Sequence, residues 1–333
     1  MNEKLNSMGG IADTLTRNRA DKLIFHIYMD VPKHEPLEYD LHLSTKGTSY
    51  AISLERLSQH REGHDRPFMH ILSSYDDIKF YEIEENKLLR PNWEHNPLET
   101  SLSQAPKMFS QPEALRRILS SASQYHVLDV GQRAPVKLPQ QMKPVNLPGE
   151  QGEELIPLLY SLKESDKEVD RARYETIIDT LRAAFHEFES LGFPPVGAGM
   201  LGLTWKEKYF SSPLYAHQLS EGTLRFLWLI SLLQSPGLSS ITMIDEPEVS
   251  LHPELLGLFV ELLREASQRT QIVIATHSDR LVRFLTPNEV VVLDKDEEGC
   301  TNAVWADTLD LDAWLSEYSL DELWSMKRMG GGA

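Results

Sequence analysis

The sequence predicts an α/β fold with a mainly parallel sheet in its second part and a β-rich and helical first part. The main observation is a regular alternation after residue 211. Leu219–Leu233 reads as a cap and a helix, Ser240–Ile244 as an apolar strand, Pro253–Gln268 as an amphipathic helix, Gln271–Ala275 as a second strand, Asp279–Phe284 as a helical turn or two, and Glu289–Leu293 as a third strand. Strands that alternate with helices pair in parallel, and functional groups collect at their carboxyl ends. A second observation is the different texture before residue 211. Alternating stretches near Lys22–Met29, Leu37–Leu43 and Ser49–Ile52 sit between Pro, Gly and charged turns and read as strands.

The intervening elements follow from spacing. Gln111–Ala122 reads as a short helix, and Arg133–Gly149 is rich in Pro and Gln and reads as an extended connection. Glu153–Leu162 and Val169–Leu191 have helical periodicity, the second with Tyr174, Ile177, Ile178, Leu181, Ala184, Phe185 and Phe188 as one apolar stripe. No heptad run is long enough for a coiled-coil arm. The expected organisation is a lobe over residues 1–210 and an α/β lobe over 211–333.

Composition narrows the function classes. The 333 residues are 41% hydrophobic and 25% charged, as in soluble globular proteins. A net charge of -17 argues against a surface given over wholly to nucleic acid, although it leaves room for a local basic groove. The single cysteine, Cys300, excludes an internal disulfide framework. The longest apolar run, Leu224–Leu233, is interrupted by Arg225 and falls short of a membrane span, and the first residues lack the order of a signal peptide. The expectation is a cytoplasmic protein with no membrane partner.

Three segments carry chemistry. The strand ITMI runs into Asp245 and Glu246, so apolar residues bury the strand while two carboxylates emerge at its tip. An aspartate there suits Mg²⁺, and the neighbouring glutamate can polarise an attacking water. Taken alone, the pair also reads as a solvated acidic turn. The next strand, QIVIA, ends in Thr276, His277 and Ser278, where an imidazole can donate to a phosphate oxygen or orient water, or simply neighbour a helix cap. In LSEGTLRFLWLISLL, Ser220 is a candidate N-cap and Gly222 allows a close approach of backbone to ligand, so the helix start is an anion site or an ordinary capped end. His252 lies in a Leu-His-Pro turn with no partner visible in the sequence.

The run LSEGT, ITMIDEPEVSLHP and IVIATHSD, over about Gln218–Asp279, resembles the signature, Walker B and switch-histidine motifs of ABC-type ATPases in the SMC, RecF and OLD-like group. The resemblance implies an ATPase head whose cofactors are ATP and Mg²⁺. It implies Asp245 as the metal-organising aspartate, Glu246 as the catalytic base and His277 as the γ-phosphate sensor. Ser220, Glu221 and Gly222 would form the signature loop, which in this family contacts ATP held by the opposite protomer of a homodimer. The turn from Pro247 to Pro253 falls where the family's protomers touch near the nucleotides. DNA or a second effector protein is a further expected class of partner.

One element of that family is missing from the pattern. A Walker A loop, GxxxxGK[ST], wraps the phosphates with backbone amides and neutralises them with its lysine. No such string occurs in the sequence. The opening MNEKLNSMGGIADTLTRN resembles the stretch just downstream of the P-loop helix, so the chain is expected to lack about one strand–loop–helix unit. That unit is then supplied by another polypeptide, or lies upstream of Met1, or has been lost. The leading reading is ATP hydrolysis coupled to dimer opening and closing, and the alternative is a non-hydrolysing regulatory subunit that keeps the dimer interface. A metal-dependent nuclease, from Asp294 and Asp296 in VVVLDKD, is the third reading, against which DEEG reads as a hairpin turn between VVVL and NAVW. Gly197, Gly199 and Gly202 satisfy GxGxxG without the flanking strand and helix of a dinucleotide site, and read as a glycine-rich turn.

Overall fold

The computed structural model describes residues 5, 8–15, 20–47, 49–75, 77–82, 87–91, 93–309, 311, 318–326 and 329. The chain divides into two compact units, Met1–Ser120 and Ser121–Ala333. The lobes expected from the sequence divide elsewhere, at 210/211, so the first of them spans all of the first unit and part of the second.

The first unit is built on a six-stranded sheet in chain order, β1 (Lys22–Val31), β2 (His34–Lys46), β3 (Ser49–Gln59), β4 (Phe68–Ser74), β5 (Asp77–Glu82) and β6 (Lys87–Leu89). Every neighbour pairs antiparallel, as short turns between successive strands require. Alternation assigns faces. Leu37, Tyr39, Leu41, Leu43, Leu57, Ile71 and Phe80 are buried in one cluster with Leu102 and Leu115 from the helices α2 (Ser101–Gln104) and α3 (Ser110–Ser121) and Ile11 from α1 (Ile11–Thr14). Glu55, fully buried, accepts from the Tyr39 hydroxyl at 2.9 Å and from the backbone amides of Ser101 and Leu102 at 2.6 and 2.7 Å. The carboxylate thereby satisfies the free amides at the start of α2.

The second unit holds helices α4 (Leu155–Lys163), α5 (Glu168–Ala184), α6 (Glu221–Leu233), α7 (Pro253–Ser267), α8 (Asp279–Val282) and α9 (Leu320–Ser325). Its parallel sheet has three strands in the order β15 (Gln271–Ala275), β14 (Ile241–Asp245) and β7 (Ser123–Tyr125). The remaining sheets among the described residues are antiparallel: β10 (Pro195–Gly197), β11 (Met200–Leu201) and β8 (Gln140–Gln141); β13 (Leu214–Tyr215), β12 (Thr204–Glu207) and β9 (Phe188–Gly192); and the hairpin of β16 (Val291–Lys295) with β17 (Thr301–Trp305). A mainly parallel sheet is therefore corrected to a mixed architecture with mostly antiparallel pairing. The third expected strand belongs to a hairpin because its chain turns back at once, with Asp296 accepting from the amides of Glu298 and Cys300.

One further expectation is corrected in detail. The helix read over Val169–Leu191 ends at Ala184, and Phe188 and Leu191 are buried instead from β9. The glycine-rich turn read from the sequence is the tight β10–β11 turn, where Gly197 and Gly199 take φ of 98° and 72°. The helices α4 to α7 share one core, with Leu155, Leu158, Ile177, Leu181, Leu227, Trp228 and Phe259 almost wholly buried.

In the first unit a cavity of about 850 Å³ is lined in part by Arg61, Phe68, His70 and Tyr81. Arg61 stacks over Phe68 at 3.6 Å, and the His70 ring meets Phe68 edge-on at 4.8 Å. Burial, with the nearby Arg61 charge, lowers the His70 pKa from 6.5 to about 4. The folded value lies below the unfolded one, so between those two values the unfolded chain takes up the proton first and stability falls as pH drops from 6.5 towards 4. By heteronuclear NMR, His70 is expected to remain neutral at about pH 5.5, where an unperturbed histidine is mostly charged; a charged ring at that pH would contradict its burial.

Candidate functional site

The parallel register sets the geometry of the site. Asp245 lies opposite Ala275, and Ile244 opposite Tyr125, so the three strands end level. Beyond those ends stand His126, the pair Asp245–Glu246, and Thr276–His277. Hydrophobic burial holds the strand bodies in place, with Ile244 and Thr242 inside and Asp245 half-exposed at the tip. The His126 ring nitrogen Nδ1 lies 3.4 Å from Asp245 Oδ2. His277 is exposed.

The turn after Asp245 is constrained. Glu246 and Ser250 both adopt left-handed backbone, with φ of 45° and 63°, a conformation that costs a non-glycine residue on the order of 1 kcal/mol. Local hydrogen bonds hold it: the Glu246 amide donates to Ala275 at 2.8 Å, Val249 to Glu246 at 3.2 Å and Leu251 to Glu248 at 2.9 Å. The Glu248 carboxylate accepts from the Thr276 hydroxyl, which itself accepts from the Ser278 amide at 3.0 Å. One carboxylate thus ties the turn that follows Glu246 to the turn that carries His277.

Ser220 is the N-cap of α6, accepting from the Thr223 amide at 3.1 Å. Among the described residues the amides of Glu221 and Gly222 have no acceptor, as the first turn of a helix dictates. The close approach foreseen at Gly222 is made by the chain itself. A Cβ there would lie 2.4 Å from the Ser250 carbonyl oxygen, closer than atoms can come. Arg225, one turn along, donates to the Leu128 carbonyl at 3.1 Å and to the Ser250 hydroxyl, and lies 3.8 Å from Glu221. The helix start and the turn after the acidic pair therefore form one packed assembly, and a narrow cleft beside it is lined by His126, Leu128, Arg225, Asp245 and Glu246.

Sequence reasoning placed Asp245, Glu246, His277, Ser220, Glu221 and Gly222 correctly on their elements, but it missed His126, Glu248 and the role of Arg225. His126 follows a three-residue strand, SQY, whose length leaves no periodicity to read. Arg225 was legible only as a charge breaking an apolar run, which is itself the signal: a buried helix tolerates an arginine where the guanidinium has carbonyls to meet. His252 caps α7, its ring accepting weakly from the Glu254 amide at 3.5 Å, and so has a local structural role.

The donor set bears on the metal. No group of three or more His, Cys, Asp or Glu side chains among the described residues is arranged to hold an ion. Mg²⁺ takes one or two carboxylates and completes its shell with water and phosphate oxygens, so Asp245, half-exposed at a strand tip, fits a nucleotide-borne magnesium. It does not fit an all-protein cage.

Level strand ends carrying an acidic pair and a histidine thus stand beside a helix start whose first amides have no acceptor among the described residues. The chain belongs to the family described as "AAA domain, putative AbiEii toxin, Type IV TA system", whose model matches residues 9–283. No curated protein matches. Similar solved structures include an Smc head bound to the C-winged helix domain of ScpA, at 10% identity over 86% of this chain and 74% of that one, with a TM-score of 0.47. A Pyrococcus furiosus Smc head with an extended coiled coil, bound to the C-terminal domain of ScpA, matches at 11% identity over 97% and 85%, with a TM-score of 0.43. The Thermotoga maritima SMC head matches at 11% over 83% and 76%, with a TM-score of 0.34. Scores below one half add nothing to the family match. No helix among the described residues is long and apolar enough to cross a membrane.

Replacing Gly222 by Ala tests the packing at this site. Alanine is the better helix former by about 1 kcal/mol and would stabilise an unobstructed helix. Against the Ser250 carbonyl it is expected to destabilise instead, seen as a lower denaturant midpoint; a higher midpoint would mean that the approach is not made.

Proposed function

We propose that this chain is the signature- and carboxylate-bearing part of an ATPase head that closes as a dimer around Mg·ATP. The observation that carries the reading is the level alignment of Asp245, Glu246 and His277 at the ends of neighbouring parallel strands. When bound, ATP with Mg²⁺ supplies the phosphoanhydride that is split. Asp245 would hold the magnesium, Glu246 would accept a proton from the attacking water, and His277 would donate to the γ-phosphate. Ser220, Glu221 and Gly222 present the free amides at the start of α6 to the γ-phosphate of the partner protomer's nucleotide, since a helix N-terminus favours anions. His126, its Nδ1 3.4 Å from Asp245 Oδ2, would help orient that carboxylate.

The sequence contains no GxxxxGK[ST] string, so in this reading a P-loop from other chain supplies the phosphate cradle. One face of the parallel sheet is consistent with such an added layer. Met243 and Val273 lie side by side on it, half-buried and 47% exposed, whereas parallel sheets are normally covered on both faces. DNA or a second effector protein remains the expected class of further partner. The alternative, a regulatory subunit that keeps the interface without hydrolysing, shares all of this geometry and differs only in turnover. The nuclease reading is disfavoured by Asp296, whose carboxylate is occupied in the hairpin turn.

The chain by itself is expected to bind ATP weakly and hydrolyse it negligibly, because the amide cradle and lysine are lacking. Fusing a strand–P-loop–helix unit to its start is expected to confer hydrolysis. In that form Glu246→Gln should retain nucleotide and lose about 10²-fold or more in turnover, while Asp245→Ala should weaken the magnesium dependence itself. Unchanged turnover in Glu246→Gln would assign Glu246 a structural role, and no turnover in the fused parent would favour the regulatory subunit.

A further inference from the structure

We propose that β1 is a pairing edge for a second copy of this chain, the two strands running antiparallel about His26 without any nucleotide. β1 is ten residues long and stands at the end of the six-stranded sheet, paired only with β2 among the described residues. Edges of this length are usually blunted by proline, by a mid-strand bulge or by charges along the strand. Residues 22–31 contain no proline, and the only register shift lies beyond Met29. Large apolar side chains are exposed along the strand instead: Ile24 at 56%, Phe25 at 43% and Tyr28 at 62%.

What commits the edge to a second copy is its self-complementarity. Lys22, Ile24, His26, Tyr28 and Asp30 lie on the exposed face, while Leu23, Ile27 and Met29 pack towards the core. When two copies of β1 pair with His26 opposite His26, Ile24 faces Tyr28, Leu23 faces Met29 and Phe25 faces Ile27. At each end Lys22 faces Asp30. Sliding by two residues one way sets Lys22 against Tyr28, and sliding the other way sets Asp30 against Ile24. Sliding by one residue mismatches the two faces altogether. Of these registers, only the one centred on His26 pairs every apolar residue from Leu23 to Met29 with an apolar one and sets Lys22 and Asp30 against their opposites, leaving Val31 beyond the paired stretch, and cross-strand pairs of this kind are what stabilise a sheet. The His26 ring is held between the Asp40 carboxylate and the Tyr28 hydroxyl, with Tyr28 at 2.6 Å.

The test uses the full chain without nucleotide. Sedimentation velocity is expected to show a reversible dimer at concentrations up to about 100 µM, the regime of small interfaces. Lys22→Asp or Asp30→Lys alone turns both end pairs into like charges and should weaken the dimer roughly tenfold or more, and the double swap should restore it. Far-UV circular dichroism confirms that each variant is folded. Register is read in a Cys300→Ser background: His26→Cys should form an intermolecular disulfide on oxidation. Ile24→Cys should do so only when mixed with Tyr28→Cys. A chain that stays monomeric, a dimer indifferent to the charge swaps, or cross-linking of Ile24→Cys with itself would each overturn the proposal. A monomer would leave the edge to a strand from a different protein.

Discussion

The register of three parallel strands is the constraint on which the site depends. Because β7, β14 and β15 end level, side chains separated by more than a hundred residues, such as His126 and Asp245, come within 3.4 Å. A slip of one residue in β14 would turn Asp245 to the other face and carry Ile244 out of the core. Burial of Thr242 and Ile244, each at or below 2% exposure, opposes that slip, so hydrophobic packing fixes the position of the chemistry.

A second layer of constraint links the elements around those ends. The Ser250 carbonyl against Gly222, Arg225 reaching Leu128 and Ser250, and Glu248 on Thr276 join the helix start, the acidic turn and the histidine turn. Two left-handed residues, Glu246 and Ser250, bracket the turn, and strain of this kind persists only where surrounding contacts hold it. A change at the start of α6, whatever causes it, would therefore be felt at Glu246. The proposed closure on nucleotide would use a coupling of this kind.

Much of this was legible in the sequence, for identifiable reasons. ITMIDEPEVSLHP and QIVIATHSD each join an apolar strand to a polar tip, and capping chemistry marked Ser220, so those elements fell where expected. The errors came where two periods coincide. Phe185, Phe188 and Leu191 are spaced by three and extend a helical stripe, yet Phe188 and Leu191 are buried from a strand held by β12. Strand β7 was invisible because three residues carry no period. The parallel character was overstated because β16 was counted with the parallel strands although the DEEG turn after it already read as a hairpin, and its pairing among the described residues is the antiparallel one with β17.

The central claim, that each proposed catalytic site combines the strand-end carboxylates of one protomer with the α6 start of its partner, is tested most directly by mixing two inactive proteins. With a P-loop unit fused to both, one protein carries Ser220→Arg and the other Glu246→Gln, and each alone should fail to hydrolyse ATP. In the mixture, a Ser220→Arg protomer contributes an intact Glu246 to a site completed by the intact Ser220 of its partner, so hydrolysis should return in the mixed dimers. A mixture as inactive as its components would contradict a site shared between protomers and place the function of α6 within its own chain.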